Sequence, residues 1–318
     1  MKNNILAVLN ILVLCAFVFF AGKNKRRIFK FRDLKKGKRN LSSEIIINTL
    51  CYNNYEGRRV GSRGNEKAAD YIKMIFEDIG LSTYCDDTYY EEYNQNVVLK
   101  ESEEDAEGEV TNKTVKNVVG LLEGRNKNSA VVVSAHFDSI GSINSRIIKG
   151  ALDNASGIAV VVKLAEELKK NKPLKKDIIF ACFNGEETGL QGSSYFVEHI
   201  KGKYSNLYNI NIDCVGGKNA GEISLENNSK ISIKLTDYMK RCFTENNLEF
   251  SDTIHSDGIS DHKSFEDAGI PNIYIGQDKA KLYIHNYYDT PDSINYNEAD
   301  KLALCICDFL IKNDNINF

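Results

Sequence analysis

The chain has no tryptophan, only 3 prolines, and no CxxC pair among its 8 cysteines. One cysteine, Cys15, lies in an apolar run, which leaves an odd number, so the sequence argues for no disulfide framework. Cys182 and Cys214 fall in strand-like apolar runs and read as buried free thiols, while Cys305 and Cys307 sit two apart in a helical segment and point to different faces. Excess positive charge is also lacking. With Lys+Arg 41 against Asp+Glu 44 and a net charge of -3, a broadly basic nucleic-acid-binding surface is excluded. No internal repeat and no linker divides the body of the chain. Its 318 residues, 42% hydrophobic and 27% charged, are enough to bury one large core. The absence of tryptophan and the scarcity of proline carry no functional reading.

What is present begins with an uncharged apolar stretch from Ile5 to Gly22, about long enough to span a bilayer as a helix. The run KNKRRIFKFRDLKKGKR follows it directly. Only Ala21-Gly22 offers the small residues that a cleavage site wants, so an uncleaved anchor is the preferred reading over a signal segment. The organisation is therefore an anchor or signal segment over 1–22, a basic stalk over 23–40, and a catalytic domain over 41–318. Because the heavier basic flank follows the span, the positive-inside rule argues for a cytoplasmic domain.

Beyond the stalk, Leu41 to Gly57 and Asn65 to Ile79 read as amphipathic helices around a glycine-broken turn, RRVGSRG. Leu81 to Val98 reads as an edge strand, and the acidic Glu101 to Glu109 as an exposed loop. Strands are then expected at 117–122, 130–135, 177–183, 207–213 and 271–275. Helices are expected at 157–169, 192–200, 230–246, 263–268 and 297–312. Continuous apolar strands alternating with helices predict an α/β fold, a single domain with a mostly parallel sheet flanked by helices on both faces. In such sheets ligands bind at the carboxyl ends of the strands.

Five positions meet that expectation: His136 in AHFDS, Asp153 in GALDNASG, the Glu186-Glu187 pair in FNGEETG, Asp213 in NIDCVG, and His285 in YIHNYYDTPDS. Each has an ordinary explanation when taken singly. A lone histidine caps a strand end, an aspartate caps a helix, and two glutamates decorate a loop. Adjacent carboxylates behind a buried strand are nevertheless costly if unpaired, and a metal on one of them relieves the repulsion. Two imidazoles and three carboxylates can hold two divalent ions with one carboxylate shared, leaving the other glutamate to carry protons. Asp138, two residues after His136, is placed to fix its tautomer.

The segments GSRGNEKAADYI, NVVGLLEG, AHFDS, GALDNASGIAVVVKLAEEL, FNGEETGLQGSSYF, NIDCVG, SDHKSFEDAGIPNIYI and HNYYDTPDS occur in the order found in the two-zinc aminopeptidases. From Leu41 to Leu310 the chain resembles that family, which includes secreted bacterial leucine aminopeptidases and aminopeptidase Y. The resemblance implies a zinc-exopeptidase (phosphorylase/hydrolase-like) fold, two Zn2+ and peptide substrates. It implies that His136, Asp153 and Asp213 hold one zinc, and that Asp153, Glu187 and His285 hold the other. Glu186 would be the general base and Asp138 would orient His136. It also implies an extracytoplasmic domain, against the reading from the basic flank. One departure is that Ile284 precedes His285, where relatives can carry a tyrosine for the oxyanion; Tyr283, Tyr287 and Tyr288 are nearby candidates. The Ser260-Asp261-His262 segment is expected to support the pocket rather than bind zinc. The alternatives are a one-zinc glutaminyl cyclase, a catalytically silent receptor-like domain, and a carboxypeptidase using Arg146 and Lys149. Residue preference, oligomeric state and the physiological metal have no signature in the sequence.

Overall fold

A computed structural model describes residues 41–99, 109–226, 229–251 and 258–318. The expected anchor, the basic stalk and the acidic 101–108 segment lie outside the described residues. No helix among the described residues is long and apolar enough to cross a membrane.

Among the described residues ten strands form in chain order: β1 Ser82–Thr83, β2 Tyr90–Leu99, β3 Glu109–Leu122, β4 Asn126–His136, β5 Ser142–Ile143, β6 Arg146–Ile147, β7 Lys176–Phe183, β8 Asn206–Ile212, β9 Ile223–Glu226 and β10 Asn272–Gln277. The α-helices are α1 Ser43–Leu50, α2 Arg63–Ile79, α3 Ser156–Lys169, α4 Gln191–Ile200, α5 Ile233–Glu245, α6 His262–Asp267 and α7 Tyr296–Lys312. Eight strands share one sheet in the order β1-β3-β7-β4-β8-β10-β9, with β2 also on β3, while β5 and β6 make a separate hairpin.

The expected parallel sheet is its centre. Strands β7, β4, β8 and β10 run parallel, whereas β3 joins β7, and β9 joins β10, in antiparallel fashion. The sheet is therefore mixed, with helices on both faces. Register explains why its carboxyl edge collects polar residues. His136 lies level with Phe183, and Ser134 with Asn211, so β4, β7 and β8 end nearly together.

Alternation along the buried strands sorts the core into two layers. Val131, Val133, Ile178, Phe180, Ile210 and Ile212 face the layer of α1, α2, α3, α5 and α7. Ala130, Val132, Ile179 and Ala181 face the thinner layer of α4 and α6, where Phe196 and Phe265 pack. Among the described residues every cysteine is a free thiol, with Cys182 and Cys214 buried as expected.

Local chemistry sets the helix ends. The Ser62 side chain accepts the Asn65 N–H at the start of α2, and Gly80, at φ 80°, closes it. The helix expected over 41–57 is shorter than its apolar pattern suggested. It stops at Leu50, and a 3₁₀ segment, Asn53–Arg58, follows, where Glu56, Gly57 and Arg58 all take positive φ. Gly57 is required there, since a Cβ would stand 2.1 Å from the Gly141 carbonyl oxygen.

Phe180 anchors the thicker layer, with its ring 6.4 Å from that of Phe76 on α2. Phe180→Ala is expected to cost about 3–5 kcal/mol in chemical denaturation. Val98→Ala, on the exposed side of β2, should stay within about 0.5 kcal/mol. Equal losses at both positions would show that the layer assignment is wrong.

Candidate metal centre

His136 is the last residue of β4 and is buried. Its Nδ1 lies 3.2 Å from the carbonyl oxygen of Asp138 and 3.6 Å from that residue's Oδ1. A proton on Nδ1 satisfies the carbonyl and leaves the Nε2 lone pair pointing the other way, as ligation needs. The Asp138 carboxylate has a second task. Its oxygens accept the backbone N–H groups of Glu186 (3.2 Å) and Glu187 (3.3 Å), fixing the turn that carries the glutamate pair. The backbone of Asp138 thus orients the histidine, and its side chain orients the glutamates.

Asp153 lies in the tight Ala151–Ala155 turn ahead of α3. Capping duty falls to Asn154, whose Oδ1 accepts the Gly157 N–H at 2.8 Å, so the Asp153 carboxylate is released from that role. The turn is held from the far side by buried Asp289, which accepts the N–H groups of Leu152 (2.6 Å) and Asp153 (3.2 Å). Nothing in the sequence assigned Asp289 this task, although it lies four residues beyond His285 in the quoted HNYYDTPDS segment.

The Asp153 carboxylate divides between the two histidines. Its Oδ1 lies 3.2 Å from His136 Nε2, and its Oδ2 lies 2.9 Å from His285 Nε2. Asp213 Oδ1 is 3.3 Å from His136 Nε2, and Glu187 Oε2 is 2.9 Å from His285 Nε2. Two groups result, His136/Asp153/Asp213 and Asp153/Glu187/His285, each with its donor atoms within 4.8 Å of one another. Tetrahedral zinc with N and O ligands sets those atoms roughly 3.3 Å apart, so the spacing suits a metal in each group. The other Glu187 oxygen, Oε1, is buried without a hydrogen-bond partner, which also suits a cation nearby.

Electrostatics report the same crowding. Burial pushes the Glu186 carboxyl up to about 10, with Asp213, Asp261 and Asp153 adding to the rise. Glu187 goes up to about 7, by burial and then by Asp153. Burial would raise Asp153 as well, but its bonds to His136 and His285 prevail and hold it below the carboxylate range. His285 rises to about 10 through its bonds to Asp153 and Glu187. Burial opposes charge on His136, yet Asp213 and Glu186 carry it well above the ordinary imidazole value. Without a cation, the histidines hold protons to offset the carboxylates.

Glu186 belongs to neither donor group but lines the same cavity, of ≈ 190 Å³, with Asp153, Glu187, Asp213 and His285. The outer wall includes Tyr274, Ile259, Lys281 and Ile284. None of the tyrosines singled out in the sequence lines it. Tyr283 packs against the core, Tyr287 donates to the Ile143 carbonyl at 2.8 Å, and Tyr288 is exposed; Tyr274 is the tyrosine at the wall. Arg146 and Lys149 lie off the cavity too. Arg146 stacks over Tyr287, and Lys149 bonds the Cys51 carbonyl and Asn53. The Ser260-Asp261-His262 segment stays out of both donor groups. Ser260 accepts from Asn211, and His262 stacks on Tyr274 with ring centroids 4.9 Å apart.

A mixed α/β sheet delivering imidazole and carboxylate donors from its strand ends marks a candidate metal-binding site. Residues 117–310 match the model of peptidase family M28, and the chain belongs to that family. It is 33% identical over 205 residues to aminopeptidase YwaD of Bacillus subtilis, an alignment covering 60% of this chain and 42% of that one. The vacuolar membrane protease of Saccharomyces cerevisiae is 29% identical over 263 residues, covering 76% of this chain and 24% of its own length. The chain thus spans less than half the length of these curated relatives. Among solved structures, an aminopeptidase from Aneurinibacillus sp. strain AM-1 shares the fold at TM-score 0.70 and 18% identity, over 85% of this chain and 92% of that one. A zinc aminopeptidase from Bacillus subtilis (TM-score 0.66, 18% identity, covering 86% and 96%) and the glutaminyl cyclase of Porphyromonas gingivalis (0.66, 18%, 86% and 100%) share it as well.

A metal must displace the protons that these imidazoles hold. Uptake is therefore expected to release protons, with apparent affinity rising between about pH 6 and pH 10, where His285 gives up its proton and the competition eases. Calorimetry in buffers of different ionisation enthalpy measures this. Affinity flat across that range, with no proton release, would remove His136 and His285 from the ligand set.

Proposed function

We propose that this chain is a metallo-aminopeptidase, of the type of the bacterial leucine aminopeptidases and aminopeptidase Y, acting on peptides with two zinc ions. The observation that carries the reading is the Asp153 carboxylate divided between His136 and His285, with Glu186 on the same cavity and outside both donor groups. His136, Asp153 and Asp213 would hold one ion, and Asp153, Glu187 and His285 the other. Bound there, the ions would supply Lewis-acid polarisation of the scissile carbonyl and lower the pKa of water in the cleft.

The chain's own residues supply the rest. Glu186, on the same cavity and outside both donor groups, would take a proton from the attacking water in its carboxylate form, which bound cations favour, and return it to the leaving amine. Asp138 keeps Glu186 and Glu187 in register by gripping both amides. Asp289 keeps Asp153 from withdrawing. The apolar 5–22 segment is read as a tether and 23–40 as a stalk for the catalytic domain over 41–318, which accords with membrane proteases among the relatives.

Metal content and hydrolysis of an aminoacyl-anilide panel test the reading. Two zincs per chain with chelator-sensitive cleavage supports it. One zinc with cyclisation of N-terminal glutamine and no anilide cleavage transfers the chain to the glutaminyl cyclases, which share the fold. Absence of both metal and activity leaves a silent domain. Within the peptidase reading, Glu186→Gln should lower kcat by about 10²–10⁴-fold while both metals stay bound. Asp153→Ala should lose metal as well as turnover. Near-normal turnover in Glu186→Gln would assign the base elsewhere.

A further inference from the structure

Arg58 is the largest fully buried side chain among the described residues, and no acidic residue pairs with it there. Its guanidinium donates instead to four main-chain carbonyls. Nε reaches Phe137 O at 2.8 Å, Nη1 reaches Leu50 O at 2.9 Å and Lys149 O at 2.8 Å, and Nη2 reaches Gly150 O at 2.7 Å. A buried cation spent wholly on carbonyls is uncommon, and it persists only where every donor is satisfied.

The identity of those carbonyls matters. Phe137 immediately follows His136. Lys149 and Gly150 immediately precede the turn that carries Asp153. Gly150 is needed for the approach: it sits at φ 56°, and a Cβ there would lie 2.6 Å from Arg58 Nη2. On the same turn Asp289 accepts the next two amides, so a guanidinium grips the carbonyls and a carboxyl group the N–H groups. The backbone carbonyl of Arg58 in turn accepts from Asn65 Nδ2 at 3.0 Å. Asn65 exchanges amide bonds of 2.9 and 3.0 Å with Asn184, two residues before Glu186. The segments bearing His136, Asp153 and the glutamate pair thus converge on Arg58 and its own backbone.

We propose that Arg58 is a positioning residue of the metal centre, setting the separation of His136 from the shared carboxylate of Asp153 through the carbonyls flanking each. The proposal rests on the metal-centre reading above. Lysine cannot substitute, because an ammonium is a point donor and cannot span carbonyls from three segments as a planar fork does.

The test titrates zinc and cobalt into metal-free wild type, Arg58→Met, Arg58→Lys and Lys149→Met. Zinc affinity is read by chelator competition and site geometry by the cobalt absorption bands, well below each variant's melting temperature. Both Arg58 variants should bind zinc about 10–100-fold more weakly, as for other residues that orient metal ligands, and should show altered cobalt bands. Lys149→Met, on the same segment but bonded away from the site, should match wild type in both readouts. In a third variant, Arg58→Ala, zinc affinity should fall likewise and be restored by added methylguanidinium but not by urea. Wild-type affinity and bands in folded Arg58→Lys, even with a lowered Tm, would reduce Arg58 to a scaffold residue and overturn the proposal. A wild-type chain that takes up no metal at all would instead overturn the functional reading beneath it.

Discussion

Negative charge crowded at one edge of the sheet is the constraint on which the remainder of the structure depends. Asp138, Asp153, Asp213, Asp261 and Asp289 are buried there, and Glu186 and Glu187 stand just inside the cleft. Such a set is tolerable only when each oxygen finds a proton, an amide or a cation. The structure assigns these partners unequally. Asp138 and Asp289 take backbone amides and serve as struts. Asp153, Asp213 and Glu187 turn toward two imidazole nitrogens, the arrangement that a divalent cation would replace. Glu186 is left with no strong donor, and its carboxyl is accordingly the one most inclined to keep a proton. The proposed division between struts, ligands and proton carrier follows from who accepts which hydrogen bond.

That division determines what the sequence could reveal. The central strands were legible because burial on both faces makes them continuous apolar runs, and the one polar residue closing each run stood out against it. His136, Glu186 and Asp213 were found in this way. The flanks were less legible. Strand β9 is four residues long, and the β2-side half of β3, VTNKTVKN, alternates with polar residues as an edge pairing does, so neither resembles the buried centre. The expected mostly parallel sheet therefore has a parallel centre and antiparallel flanks that the sequence did not announce. The first helix was overextended for a different reason: its apolar spacing continues, but the helix stops at Leu50, and the 3₁₀ segment that follows turns through three positive-φ residues, Glu56, Gly57 and Arg58.

Arg58 and Asp289 escaped the sequence reading for a shared reason, and Tyr274 for another. A residue that bonds main-chain groups has no side-chain partner whose identity would betray the contact. Arg58 meets four carbonyls, and Asp289 meets two amides. Tyr274 lies inside an apolar strand, where its hydroxyl is invisible to periodicity. The tyrosines near His285 were nominated by proximity in sequence, yet the loop turns them to the core, to Ile143 and to solvent.

The placement of Arg58 also bears on where the site begins. The family match starts at residue 117, and every proposed ligand lies beyond it. The group that joins the His136 and Asp153 segments nevertheless comes from residue 58, and Asn65 extends the same connection to the turn of Glu186 and Glu187. The α1–α2 region is therefore part of the back wall of the centre as well as a packing layer. A guanidinium among carbonyls and a carboxyl group among amides hold the Asp153 turn by opposite ends of neighbouring peptide groups. Neither grip uses the Asp153 side chain, which is left to face both histidines.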